Sequence, residues 1–135
     1  MPDATPGTPA QPLTPVVVAA VALGGALGTG ARAGLWWVFR DDPWSISTLG
    51  INVLGCVLLA WLSTYAKYRQ LPDWLRAGIG TGFAGAFTTF SSIMLLFAQL
   101  PIWTYVVYLA ITVWCCLLAV WLTQKLTTTF FVRGA

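Results

Sequence analysis

The side chains with chemistry to offer are a guanidinium, an amide and a run of hydroxyls, all set inside apolar stretches. Arg32 follows Gly24-Gly25-Ala-Leu-Gly28-Thr-Gly30-Ala, well past the middle of an apolar run. An arginine costs about 2.5–3.5 kcal/mol at the centre of a membrane helix and less near the interface. It either snorkels to the interface or supplies positive charge at the foot of an anion vestibule. Asn52, the single Asn of the chain, lies in Ser47-Thr48-Leu-Gly50-Ile-Asn52-Val-Leu-Gly55. Its amide offers two N–H donors and no charge, suited to bonding a neighbouring helix or an anion that is shedding water. The run Gly80-Thr-Gly82-Phe83-Ala-Gly85-Ala-Phe87-Thr88-Thr89-Phe90-Ser91-Ser92 is poor material for a continuous helix. In lipid, a helix break survives only where protein or a cavity satisfies the freed groups. Such breaks are where membrane proteins place ion sites, and exposed carbonyls can hold a cation. The half-helix that follows begins with Thr and Ser, natural caps. Phe83, Phe87 and Phe90 are nearly helically spaced; they pack in a core or turn their electropositive edges to an anion. On the fourth apolar run, Tyr108 and Thr112 share a face, with Thr104 nearby, as interhelical hydrogen bonds or a wet path.

What is missing narrows the chemistry further. The chain has no His and no Glu, and its four acids, Asp3, Asp41, Asp42 and Asp73, all fall outside the apolar stretches. No carboxylate or imidazole is therefore available inside the membrane to carry a proton, which excludes a four-helix multidrug exchanger that needs an embedded Glu. No nucleophile–base set or metal cluster exists, so the chain does not read as an enzyme. Cys56, Cys115 and Cys116 lie in apolar runs without partners at a disulfide or metal spacing and read as small core-filling residues. Net charge is +3 from seven basic residues, too few for a nucleic-acid footprint.

These residues need apolar elements to position them. Of the 135 residues, 58% are hydrophobic and 8% charged, whereas a soluble domain carries about a quarter charged. Lipid must be the solvent, and the length allows one domain. Apolar runs cover 16–39, 46–65, 74–100 and 102–126, each reaching the ~20 residues of a membrane-spanning helix. Residues 1–14 read as a disordered tail, 15–127 as the transmembrane domain and 128–135 as a C-terminal tail. The first tail lacks a basic n-region, so the first span reads as an uncleaved signal anchor. Trp36, Trp37, Trp44 and Trp103 mark one interface, and Trp61, Trp74 and Trp121 the other. Lys67, Arg69, Arg76, Lys125 and Arg133 share the face with both termini, against Arg40 alone opposite; the bias predicts cytoplasmic termini. Gly24 with Gly28, and Gly30 with Gly34, have the spacing that lets helix backbones approach in lipid.

Together these residues form a pattern. Gly24-Gly25-x-x-Gly28-x-x-x-Arg32, Thr48-x-Gly50-x-Asn52-x-x-Gly55 and Gly82-Phe83-x-Gly85-x-Phe87-Thr88-Thr89-Phe90-Ser91 resemble three signatures of the Fluc/CrcB fluoride channel family. The resemblance covers 16–126. It implies an all-α integral membrane fold: a four-transmembrane-helix bundle with a broken third helix, paired as an antiparallel, dual-topology dimer with two parallel pores. It implies a passive fluoride-selective channel in the plasma (inner) membrane of a bacterium, exporting cytoplasmic fluoride and so lowering its toxicity. The fluoride pore would use Asn52, Phe90, Thr89, Ser92, Tyr108 and Thr112, with Thr48 and with Arg32 concentrating anions at the mouth. A structural sodium ion at the dimer interface would be held by the backbone carbonyls of Gly85 and Thr88.

Two positions depart from the family pattern: Ile93 stands where a second Phe is usual, and Leu96 where a Glu is frequent. The second subunit is either another copy of this chain, in a homodimer, or, as an incomplete ring pair and a fixed orientation suggest, a paralogue. A non-conducting scaffold held by glycine faces is the rival reading. It explains the glycines but not Arg32, Asn52 or the Thr-Thr-Phe-Ser run.

Overall fold

A computed structural model describes residues 14–39 and 46–133, the side chain of Arg133 excepted. Most of the expected N-terminal tail, residues 134–135 and the stretch with Arg40, Asp41, Asp42 and Trp44 lie outside those residues.

The described chain is helical: α1 (Pro15–Val38), α2 (Ile46–Tyr68), α3 (Asp73–Ala77), a π-helical stretch (Gly78–Ala84), α4 (Gly85–Phe87), α5 (Ser91–Gln99) and α6 (Ile102–Arg133). Four spans, Pro15–Val38, Ile46–Tyr68, Asp73–Gln99 and Ile102–Val132, are long and apolar enough to cross a membrane. In hydrocarbon each backbone must bond within its own segment, so apolar runs of this length become helices. The protein is a multi-pass membrane protein.

Thr14 starts the first span. Its hydroxyl accepts from the Val17 N–H at 3.3 Å, and Pro15 occupies the first helical position, where no N–H is needed. The last helix runs past the end of its apolar run, so that residues 128–133 continue α6. Thr129 Oγ1 donates to the Lys125 carbonyl at 2.8 Å. Phe131 stacks on Tyr68 (centroids 4.9 Å, interplanar 9°) and meets Tyr65 edge-on at 5.6 Å. These ring contacts hold the helix beyond the end of the apolar run and carry α2 on to Tyr68.

α1 packs chiefly on the π-helical stretch, and α2 chiefly on α6. The first interface is backbone against backbone. A Cβ on Gly24 would collide with the Gly78 carbonyl, and one on Gly28 with the Phe83 carbonyl. From the other side, a Cβ on Gly82 would stand 2.6 Å from the Val21 carbonyl. Without water to drive apolar surfaces together, such close approach supplies dispersion contact instead. The π stretch widens the third span at this crossing, and π turns concentrate at functional sites. Large side chains face outward, among them Trp36 and Trp37 at one end, Trp103 near them, and Trp74 and Trp121 at the other. The small interior holds Ile51, Ala60, Leu62, Ala84, Phe87, Ile93 and Tyr105.

Candidate functional site

Between α4 and α5 the backbone leaves the helix. Thr88 is extended (φ −70°, ψ 155°), and α5 restarts at Ser91. Thr88 still bonds backward: its N–H and its Oγ1 both donate to the Ala84 carbonyl at 3.1 Å.

The next residue changes partner. Thr89 N–H donates to Asn52 Oδ1 at 2.8 Å, and Asn52 Nδ2 donates to the Thr89 carbonyl at 3.1 Å. The amide of α2 replaces a peptide group, pairing with both backbone groups of one residue 37 positions away. Asn52 and Thr89 are 7% and 6% exposed, so neither backbone group could turn to water instead. The pairing also settles the amide's orientation, because only oxygen can accept from the N–H. One Asn52 N–H is left over.

Thr89 completes the restart. Its Oγ1 accepts from the Ser92 N–H at 3.2 Å, the geometry of a helix cap. The same oxygen lies 3.0 Å from Ser92 Oγ and 3.2 Å from Ser91 Oγ. Three hydroxyls thus share one small cluster beside the amide.

Two carbonyls are released by these substitutions. In a continuous helix the Gly85 carbonyl would accept from the Thr89 N–H, and the Thr88 carbonyl from the Ser92 N–H. The first donor is taken by Asn52 and the second by Thr89 Oγ1. Gly85 retains only a long contact from Thr88 Oγ1 at 3.5 Å, and it is exposed on the chain's surface. These oxygens are hard donors of the kind that suits a small cation such as sodium.

Gly55 makes room for the unwound segment. A Cβ there would strike Thr88 Cγ2. Gly55 and Ser91 stand in the sequence motifs without a pore role, and Tyr105 stands in none of them. Ser91 is exposed one residue from Phe90. Tyr105 is buried, with its OH 4.0 Å from Met94 Sδ and its ring 5.2 Å from Phe97, edge-on. Gly55 already carried a signal in its glycine spacing from Asn52; Tyr105 carried none.

The aromatic residues separate into two groups. Phe83 and Phe87 stack at 5.6 Å, whereas Phe90 is 65% exposed. Ile93, three residues on, is 5% exposed, so the two positions face opposite ways in this chain. Leu96 is half-buried.

The remaining polar residues are more dispersed. Thr48 is buried on α2, one turn before Asn52. On α6, Thr112 Oγ1 donates to the Tyr108 carbonyl at 2.9 Å, so its proton is spent within its own helix, a common fate of membrane hydroxyls. Tyr108 is half-buried. α6, which carries this pair, packs chiefly on α2 and also touches α5. Arg32 is half-buried and has no hydrogen-bond or ion-pair partner among the described residues. One turn further along α1, Leu35 and Phe39 line an open groove of about 430 Å³ with Ile46, Ser47, Gly50, Ile51 and Leu54. Gly30 and Gly34 meet no atom within 4 Å.

Similar sequences come from several bacteria. Fluoride-specific ion channel FluC 1 of Streptomyces coelicolor is 39% identical over 113 residues, 78% of this chain and 73% of that one. The protein of the same name from Bacillus anthracis is 44% identical over 84 residues, 59% of this chain and 61% of that one. That from Leifsonia xyli is 42% identical over 83 residues, again 59% and 61%. The profile described as CrcB-like protein, Camphor Resistance (CrcB), matches residues 19–124, which contain the glycine crossing, the Asn52 clasp and the unwound turn: the chain belongs to the CrcB family.

Proposed function

We propose that the protein is a passive, fluoride-selective channel of the plasma (inner) membrane that lets cytoplasmic fluoride leave the cell and so lowers its toxicity. The observation that carries this reading is the uncharged donor set at the unwound turn, in a chain whose similar proteins are named fluoride-specific channels. A family of ion channels, not enzymes, is also the setting in which a site without nucleophile or base makes sense.

Burying an unpaired small anion costs tens of kcal/mol in the Born limit. The pore must return those interactions through N–H, O–H and ring-edge donors, none of which carries a charge that would trap the ion. The free N–H of Asn52, the hydroxyls of Thr89, Ser91 and Ser92, and the exposed edge of Phe90 are such donors, side by side. Arg32, in the C-terminal part of α1, raises the local anion concentration. Thr48 continues the polar line along α2, and Tyr108 and Thr112 contribute from α6 where their hydroxyls rotate away from the helix. With no membrane-embedded acid or His, flux is uncoupled from protons and follows the membrane potential.

The second subunit in this reading lies antiparallel against the face that exposes Gly85, Phe90 and Ser91. The Gly85 and Thr88 carbonyls of the two chains would hold a sodium ion there, whose charge locks the interface and attracts anions. Asn52 serves that site as well, because its Oδ1 removes the N–H that would otherwise occupy the Gly85 carbonyl. The buried Ile93 in place of a ring favours a paralogue as partner: a complete ring pair then needs the other chain. Lys67, Arg69, Arg76 and Lys125 at one end of the bundle support cytoplasmic termini.

Fluoride efflux from liposomes holding the purified chain, read with a fluoride electrode beside chloride efflux, tests the proposal. Fast fluoride release without chloride release is expected, from the chain alone or with its paralogue. No fluoride release in either form leaves the non-conducting scaffold.

A further inference from the structure

α6 is longer than a bilayer requires. Its 32 residues span about 48 Å, against about 30 Å of hydrocarbon. With Trp103 in the belt at its start, about twenty residues bring the helix to the opposite interface near Trp121. The segment beyond Trp121 gathers polar residues among its apolar ones: Thr123, Gln124, Lys125, Thr127, Thr128 and Thr129. It is held upright by Phe131 against Tyr65 and Tyr68, so this helical surface stands at the depth of the lipid headgroups.

On that surface Trp121, Gln124, Lys125, Thr128, Thr129 and Val132 line an open groove of about 500 Å³. Lys125 is fixed over it, its ammonium 4.8 Å from the centre of the Trp121 ring. No acid lines the groove, and Lys125 forms no ion pair among the described residues. The Gln124 and Thr128 side chains, both exposed, hydrogen-bond to nothing among the described residues. Thr129 has spent its proton on the Lys125 carbonyl.

We infer that this groove is a binding site for the headgroup of an anionic phospholipid. The phosphodiester accepts from the ammonium, the Gln124 amide and the Thr128 hydroxyl, and the apolar body of Trp121 lies along the start of an acyl chain. A zwitterionic headgroup fits less well. Its cation would find no carboxylate, and the Trp121 face is already covered by Lys125. Lys67, Arg69 and Arg76 at the same end of the bundle add to the attraction without lining the groove.

The test is native mass spectrometry of the full chain in neutral detergent, titrated with phosphatidylglycerol or phosphatidylcholine, counting bound lipids. Phosphatidylglycerol is expected to bind first and more tightly. K125Q should weaken that first site about fivefold, the contribution of one basic side chain near a membrane surface. K125R should restore it, and K67Q should leave it within twofold. Thermal unfolding in parallel should show phosphatidylglycerol stabilising the unmodified chain more than K125Q, with inorganic phosphate without effect. Equal affinity of K125Q and the unmodified chain, or equal binding of phosphatidylcholine, overturns the proposal. Stabilisation by inorganic phosphate to the same degree overturns it too, by assigning the groove to a free anion.

Discussion

α1 carries two glycine pairs with identical spacing and opposite surroundings. Gly24 and Gly28 press against the carbonyls of Gly78 and Phe83, while Gly30 and Gly34, further along the same helix, meet nothing within 4 Å. The spacing makes a helix face smooth enough for close approach; it does not name what approaches. Inside this chain the first pair has a partner, the π-helical stretch. The second pair is left open beside Arg32 and the groove between α1 and α2. The difference teaches that α1 is packed into the subunit as far as Gly28 and left open from Gly30 onward.

The comparison can be broken most severely at Gly28. In G28L the new side chain collides with the Phe83 carbonyl, and neither backbone can yield cheaply. Overpacking costs about 1–3 kcal/mol where side chains can shift and more where backbone must. We expect no monodisperse peak on size-exclusion chromatography after detergent extraction. A normal peak with an unchanged melting temperature would show that the crossing is not tight.

Next in size is N52A, which leaves the Thr89 N–H and carbonyl both unpartnered. A buried orphan group costs about 1–3 kcal/mol. Thermal unfolding should register at least one such loss, and fluoride efflux should fall to background. N52D separates the two hydrogen bonds. In its ionised form, at alkaline pH, it keeps the acceptor for the Thr89 N–H and removes the donor to the Thr89 carbonyl, so its melting temperature there should lie between N52A and the unmodified chain. A melting temperature for N52D below that of N52A would show that the cost of a buried carboxylate outweighs the retained bond.

The smallest effect is expected at the open pair. G30A and G34A meet no neighbour, and alanine gains about 0.5–1 kcal/mol of helix propensity. The single chain should unfold no more easily. If a second subunit covers this face, the fraction of paired subunits on dilution in bilayers, read by single-molecule photobleaching, should drop. Destabilisation of the single chain by G34A would instead erase the distinction between the two pairs.

Much of this was legible one residue at a time, and the rest was not, for a definite reason. The four spans follow from apolar runs of sufficient length, because hydrocarbon leaves the backbone no alternative to helix. Their ends were less secure. α6 continues to Arg133 because Phe131 finds Tyr65 and Tyr68 on another helix, and no count of apolar residues contains that contact. Asn52 stood out as the single Asn, but glue and pore donor were equal readings. The structure assigns two of its atoms to the Thr89 backbone and leaves one N–H over. Thr112 and Tyr108 looked like one stripe, yet the Thr112 proton is bonded within its own helix. Phe90 and Ile93 looked like the two members of one ring pair, the second replaced, yet one faces outward and the other inward.

By itself the amino-acid sequence determined that the chain lives in a membrane, that four of its segments span it, that no acid or imidazole enters the hydrocarbon, and which family it belongs to. Those are consequences of composition, run length and local motif, and each is a property of neighbouring residues. Tertiary structure alone decided which glycines touch backbone, which amide replaces a peptide bond 37 residues away, and which carbonyls are released at the unwound turn. In lipid every helix face is apolar, so periodicity that points inward in a soluble protein loses its direction, and only the packed fold says which surface is interior.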